Sequence, residues 1–158
     1  MIFMPRSQRG GWMINPNDSI RFSNVLSRKY RFHYLDMNEA LEDFLNDVGS
    51  LKAAVRGPLF YSIHNVPLDE MVNAEIFMPM EEDWIEPVED MRFHTYFSIE
   101  NMVSLCLAEN VEAKTEAAYK LLFDYMEEHN LEQATPIFHV VSGDENFQYS
   151  FIKIGVSE

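Results

Sequence analysis

One stretch of this sequence occurs twice. From Glu116 to Val141 the chain reads EAAYKLLFDYMEEHNLEQATPIFHVV, and from Glu39 to Ile63 it reads EALEDFLNDVGSLKAAVRGPLFYSI. Glu39-Ala40 answers Glu116-Ala117, Leu51 answers Leu131, and Pro58-Leu59-Phe60 answers Pro136-Ile137-Phe138. Each copy passes from a helix pattern through a short turn into a strand opened by proline. The recurrence predicts an α+β fold of duplicated β-α-β-β units. Two long helices would pack on one face of a largely antiparallel sheet. The repeats are expected to span 18–80 and 91–156 of a single domain, 18–156, with residues 1–17 as a disordered extension. Arg9-Gly10-Gly11 just before Trp12-Met13 is what a translated ribosome-binding site would encode, which points to Met13 as the natural start.

The elements follow from local pattern. Tyr30, Phe32 and Tyr34 alternate with Arg31 and His33, so Ile20 to Tyr34 predicts a strand. Asp36 with Glu39 makes a capping box for the first helix. Leu41, Phe44, Leu45 and Val48 form its apolar stripe, and Gly49 can end it in a left-handed conformation. Strands are expected from Pro58 to His64 and from Ala74 to Met80, with Asn65 to Asn73 as the hairpin loop. The acidic stretch from Glu81 to Asp90 is the expected link between halves. Met91 to Ala108 reads as a long strand bent near Glu100-Asn101. Ala118, Leu121, Leu122, Tyr125 and Met126 mark the second helix. Pro136 to Ser142 and Phe147 to Val156 are the last strands, joined by a turn at Gly143 to Asn146.

Charge and cysteine content narrow the function classes. The chain of 158 residues carries 26 acidic against 12 basic side chains, a formal charge of −14. That balance disfavours nucleic acid, whose phosphates attract Lys and Arg. It suits solubility, a cationic ligand or a basic protein partner. One cysteine, Cys106, allows no internal disulfide and fits a cytoplasmic protein. No apolar run approaches the roughly 20 residues needed to cross a bilayer.

Alternation along each strand sorts residues by face. Phe60, Ser62, Ile76, Met78, Phe138, Val140, Ile152 and Ile154 are expected under the helices. Leu59, Tyr61, Ile63, Glu75, Phe77, Ile137, His139, Val141, Phe151 and Lys153 are expected on the other face, an aromatic surface with a few polar groups. Such a composition suits a small-molecule cleft. The alternative is a face covered by the N-terminal segment, by the loop of Trp84 or by another protein.

The order of GPLFYSI, EIFMPM, FSIENMVSLCLAEN, EAAYKLLFDYMEEHNLE, TPIFHVV and FIKIGV, over about residues 18 to 156, resembles the GyrI-like, or bacterial effector-binding, family. The resemblance implies a central cleft between pseudo-symmetric halves that takes cationic or aromatic small molecules. Some members of that family are ligand domains of transcription regulators, some stand alone and a few are hydrolases. Members commonly carry a Glu at the third position past the proline of the strand after the second helix. Here that position is His139, and the aromatic expected two residues later is Val141. Glu75, or Tyr61 in the matching position of the first half, could compensate. The sequence also resembles an uncharacterised family of Gram-positive bacteria, some of whose genes lie near LXG-type secreted toxins.

Among the titratable residues none makes a catalytic or metal signature. The five histidines lack metal-site spacing, and Glu81-Glu82-Asp83 lacks that of a calcium loop. Cys106 in SLCLA reads as a buried, inert thiol. No catalytic residue, metal or cofactor is assigned, and the oligomeric state is left open. The expected ligand site is Tyr61, Glu75, Phe77, His139, Phe151 and Trp84. Glu75 paired with Lys153 is the structural alternative. The expected function is small-molecule binding without chemistry. The alternatives are an interaction or immunity-type partner in a toxin system, and a small hydrolase.

Overall fold

The computed structural model describes residues 13–64, 70–108, 111–143 and 148–158. Its elements are β1 (Asn15–His33), a single 3-10 turn (Tyr34–Asp36), α1 (Met37–Ser50), β2 (Phe60–Ile63), β3 (Met71–Pro79), β4 (Arg92–Ala108), α2 (Val111–Glu128), β5 (Glu132–Gly143) and β6 (Gln148–Ser157). The expected disordered extension, 1–17, lies outside the described residues over 1–12 and is overturned at its end, where Ile14 is buried and residues 15–17 open β1; parts of both hairpin loops also fall outside the described residues. The chain divides into two units, Arg21–Ser98 and Ile99–Glu158 with the chain up to Ile20, and the division falls inside β1 and β4. In the first unit β3 is central, antiparallel to β1 on one side and to β2 on the other. In the second β6 is central, antiparallel to β4 and β5.

The expected pair of long helices on one face of a sheet is overturned. Strand dominates the chain. α1 has 14 residues and α2 has 18, so at ~1.5 Å per residue they reach only about 21 and 27 Å. β1 and β4 have 19 and 17 residues, and a strand advances more than twice as far per residue. Each helix packs on the strands of its own unit. Ala40, Phe44 and Val48 of α1 meet Leu26, Ile76, Met78 and Met80. Ala118, Leu121, Leu122, Tyr125 and Met126 of α2 meet Val103, Leu105, Leu107, Ile152 and Ile154. The segment 81–90, expected to be a link, sends Ile85 and Val88 into the first of these cores.

The helix ends differ in how the sequence encodes them. Asp36 precedes α1 but makes no side-chain cap, and the buried stripe omits Leu45, which is 43% exposed. Gly49 does not end the helix. α1 runs through Ser50, and the left-handed residue is Lys52, at φ 56°. α2 ends as its pattern indicates. Asn130 takes the left-handed conformation, at φ 57°, and Leu131 N donates to Met126 O at 2.8 Å.

Two further left-handed residues sit within strands, Asn24 at φ 59° and Asn101 at φ 58°. Asparagine tolerates this conformation better than most residues. Strand pairing to β3 begins at Val25, immediately after Asn24, and pairing to β6 begins at Met102, immediately after Asn101. The bend expected near Glu100-Asn101 therefore has a backbone cause. In β5 the register to β6 shifts between Gln133 and Ile137, around Pro136, as a residue without an N–H requires. There Thr135 Oγ1 accepts from Gly155 N at 2.9 Å.

Candidate functional site

Strand pairing decides which side chains share a face. For β3 and β6 the expected faces are the observed ones. Ile76, Met78, Ile152 and Ile154 lie under the helices. For β2 and β5 the expected faces are reversed. Tyr61 pairs with Ile76 and packs on the α1 core, while Phe60 pairs with Phe77 and Ser62 with Glu75. His139 pairs with Ile152 and meets the Tyr119 hydroxyl of α2 through Nε2. It is 3% exposed, and burial holds its pKa down to about 4. His139 and Tyr61 are thus helix-side residues, not members of an open aromatic face. The physical reason is that one residue of register reverses every side chain of a strand.

Glu75 and Phe77 keep their expected face, and a cluster forms around them in the Arg21–Ser98 unit. The Phe77 ring stacks on Phe60, with centroids 4.5 Å apart and planes 4° from parallel. Phe60 stacks in turn on Phe22 at 5.2 Å, and Phe97 tilts against Phe77 at 4.8 Å. Offset stacking and tilted contacts of this kind suit the ring quadrupoles. Glu75, two residues before Phe77, is 9% exposed.

The Glu75 carboxylate is held by a neutral chain. Ser27 Oγ donates to its Oε2 at 2.7 Å, and His94 Nε2 lies 2.8 Å from the same Ser27 oxygen. Ser27 has one proton and gives it to the carboxylate, so a neutral His94 ring must carry its own on Nε2. Burial depresses the His94 pKa, Glu75 opposes that, and Arg92 adds to it. His64, 2.6 Å from the buried Ser62 hydroxyl, is depressed by burial too, against the pull of Glu75 and with the push of Lys29. The order carboxylate, serine, histidine differs from that of a nucleophilic triad, where histidine stands in the middle. Ser27 is also 0% exposed. The arrangement fixes a carboxylate; it does not activate a hydroxyl.

Glu75 borders a cavity of about 460 Å³, lined also by Ser27, Arg28, Lys29, Asp90, Met91 and Arg92. Sites for small ligands commonly fall within ~300–1,000 Å³. Lys153, the alternative partner for Glu75, is instead bound to Asp18 Oδ1 at 3.2 Å and to Ser19 O at 2.8 Å. Phe151 lies beneath the Lys153 ammonium, 5.8 Å from ring centroid to nitrogen. Trp84 is 60% exposed and meets Phe93 edge-on. Of the six residues expected to form the ligand site, Glu75 and Phe77 stand together here, Tyr61 packs on the α1 core, Trp84 meets Phe93, and His139 and Phe151 belong to the other unit.

Ser27 and His94 were missed by the reading of the sequence. A signal for Ser27 was present. Asn24-Val25-Leu26-Ser27 recurs as Asn101-Met102-Val103-Ser104. Both asparagines are left-handed, and both serines are buried and donate to a carboxylate, Ser104 to Asp18. His94 carries no such mark.

Two other expectations are settled by placement. Cys106 is exposed rather than buried, and desolvation raises its pKa, so the thiol is not activated. Glu82 accepts the Ala54 N–H at 3.1 Å and ties the acidic loop to the segment after α1. Among the described residues no group of three or more His, Cys, Asp or Glu could hold a metal ion, and no helix is long and apolar enough to cross a membrane.

Residues 21–158 match the family model described as Domain of unknown function (DUF5085). The chain belongs to the DUF5085 family. No curated protein matches it significantly. Among solved structures this DUF5085 chain is similar to EcmrR in the cryo-EM structure of an EcmrR–DNA complex in EcmrR-RPo. The TM-score is 0.76 at 11% identity, over 93% of this chain and 58% of that one. The DUF5085 chain thus spans somewhat more than half of that protein. It is similar also to the crystal structure of the EcmrR C-terminal domain, with TM-score 0.66, 10% identity and coverage of 90% and 97%. A third neighbour is an integron cassette protein from the mobile metagenome of Vibrio cholerae, with TM-score 0.50, 14% identity and coverage of 91% and 95%. At these identities the likeness is one of fold. It agrees with the effector-binding resemblance at that level, and none of these neighbours bears on the toxin-associated one.

Proposed function

We propose that this chain is a small-molecule-binding module whose ligand presents a cationic group to Glu75. One observation carries the reading. A carboxylate nine-tenths buried, at the wall of a 460 Å³ cavity, is held by a neutral serine hydroxyl. Burying a charge costs several kcal/mol unless a counter-charge or a full set of hydrogen bonds offsets it. His94 is kept neutral by burial and passes only a hydrogen bond through Ser27. Lys29 and Arg92 line the same cavity but are exposed to solvent, which screens them, and a ligand cation at Glu75 completes a compensation they supply only in part. Phe77, on the same strand face as Glu75, is anchored in a stack with Phe60 and Phe97.

Thermal-shift measurement against a panel of aromatic amines and their uncharged alcohol isosteres tests this, because a ligand of the native state raises its apparent stability. Amines are expected to raise the midpoint and alcohols to leave it unchanged. Glu75→Gln, which keeps the Ser27 contact and removes the charge, is expected to abolish the amine shift. Equal shifts from amines and alcohols, or an undiminished shift in Glu75→Gln, would overturn the assignment.

A further inference from the structure

Three consecutive residues of β1 line the cavity at Glu75. Ser27 and Lys29 share the face of Glu75, since Ser27 bonds to it and Lys29 is its register partner. Arg28 points the other way, to Asp43 and Asp47 of α1. The cavity touches all three residues. Its wall carries Glu75 and Asp90 as anions and Lys29, Arg92 and Arg28 as cations.

The balance of these charges argues against a bare cation as ligand. Arg28 is largely neutralised, at 2.6 Å from Asp47 and 3.3 Å from Asp43. Lys29 and Arg92 remain beside Glu75 and Asp90, two charges of each sign. The positive pair offsets the field that would draw in a lone cation.

We infer that the ligand is a zwitterion, a small molecule carrying an ammonium for Glu75 and a carboxylate or comparable oxyanion for Lys29 and Arg92. This rests on the Glu75 reading and adds the anionic half. Both charges of such a ligand meet a counter-charge, whereas a simple amine meets two attractions, from Glu75 and Asp90, and two repulsions, from Lys29 and Arg92. A guanidinium also pairs with a carboxylate in a defined two-bond geometry, which would set the ligand's orientation.

Isothermal titration calorimetry on the full chain tests the inference with three probes on one aromatic core: 4-(aminomethyl)benzoate, 4-methylbenzylammonium and 4-methylbenzoate. The zwitterion is expected to bind at least about tenfold more tightly than either singly charged probe, the scale of one hydrogen bond to a charged group. The double variant Lys29→Gln, Arg92→Gln is expected to erase the advantage over 4-methylbenzylammonium without weakening that amine. Both residues are exposed, so the fold should tolerate the change. If the amine binds as tightly as the zwitterion, and the double variant changes neither, the zwitterion is wrong and the Glu75 reading stands. If 4-methylbenzoate binds as tightly as the zwitterion and Glu75→Gln weakens neither, both fail. Absence of heat from all three probes overturns the zwitterion, and the amine panel then decides on Glu75 alone.

Discussion

At the residue scale, His139 shows how burial converts a polar side chain into a pH-dependent liability. Its folded-state pKa, about 4, lies below the ordinary 6.5. The unfolded chain therefore takes the proton first as pH falls. Stability linked to His139 is fully present above about pH 6.5 and is lost as pH falls toward 4. A shift of this size corresponds to roughly 3 kcal/mol. Urea unfolding at a series of pH values should show that loss, and His139→Leu should flatten it. An unchanged pH slope in the variant would place the loss at other groups. Arg28 offers a second residue-scale outcome. Asp47→Ala removes its nearer partner and leaves Asp43 at 3.3 Å. Because Asp47 is itself partly exposed, about 1–3 kcal/mol of destabilisation is expected. Arg28→Met removes charge and desolvation cost together and should cost less than Asp47→Ala in the same urea measurement.

At the element scale, the two helix ends make opposite statements about sequence. Asn130 ends α2 where the apolar pattern stops, with the conformation an asparagine accepts. α1 runs past the glycine that looked like its end and places the left-handed residue at Lys52. A Cβ at Gly49 would meet nothing within 4 Å. Gly49→Ala is therefore expected to stabilise the protein by about 0.5–1 kcal/mol through helix propensity. Lys52→Gly is expected to gain a similar amount by relieving a left-handed β-carbon. A loss of stability in either variant would return the cap to Gly49. At the β5–β6 pairing the glycine is indispensable instead. A Cβ on Gly155 would clash with Thr135 Cγ2. Gly155→Ala should lower stability by about 1–3 kcal/mol, and adding Thr135→Ser, which removes that methyl, should restore part of it by thermal denaturation.

At the scale of the whole molecule, the formal charge of −14 repels itself in the folded state. Added salt screens that repulsion with a length of about 10 Å at 0.1 M. Exposed ion pairs such as Lys120–Asp124 contribute little in opposition. The melting midpoint is expected to rise from about 10 mM to about 0.3 M sodium chloride. A midpoint that falls over this range would mean that attractive pairs outweigh the net charge.

The sequence by itself determined the strand and helix order, the apolar stripe of α2 and its end at Asn130, the bend at Asn101, and Glu75 on one face with Phe77. These follow from side-chain periodicity and local backbone preference, which neighbouring residues settle among themselves. The sequence did not determine which face of β2 joins which face of β3, nor of β5 with β6. Alternation orders residues within a strand, while the loops between strands set their relative register, and one residue reverses it. Nor did burial break the tie. Phe60 and Phe77 are as buried as Ile76, and Phe138 nearly so, so apolarity marks neither face as the outer one. Only the tertiary structure sent Tyr61 and His139 beneath the helices. It also brought Ser27 and His94 to Glu75 from 48 residues before and 19 after, a meeting that depends on pairing across strands far apart in the chain.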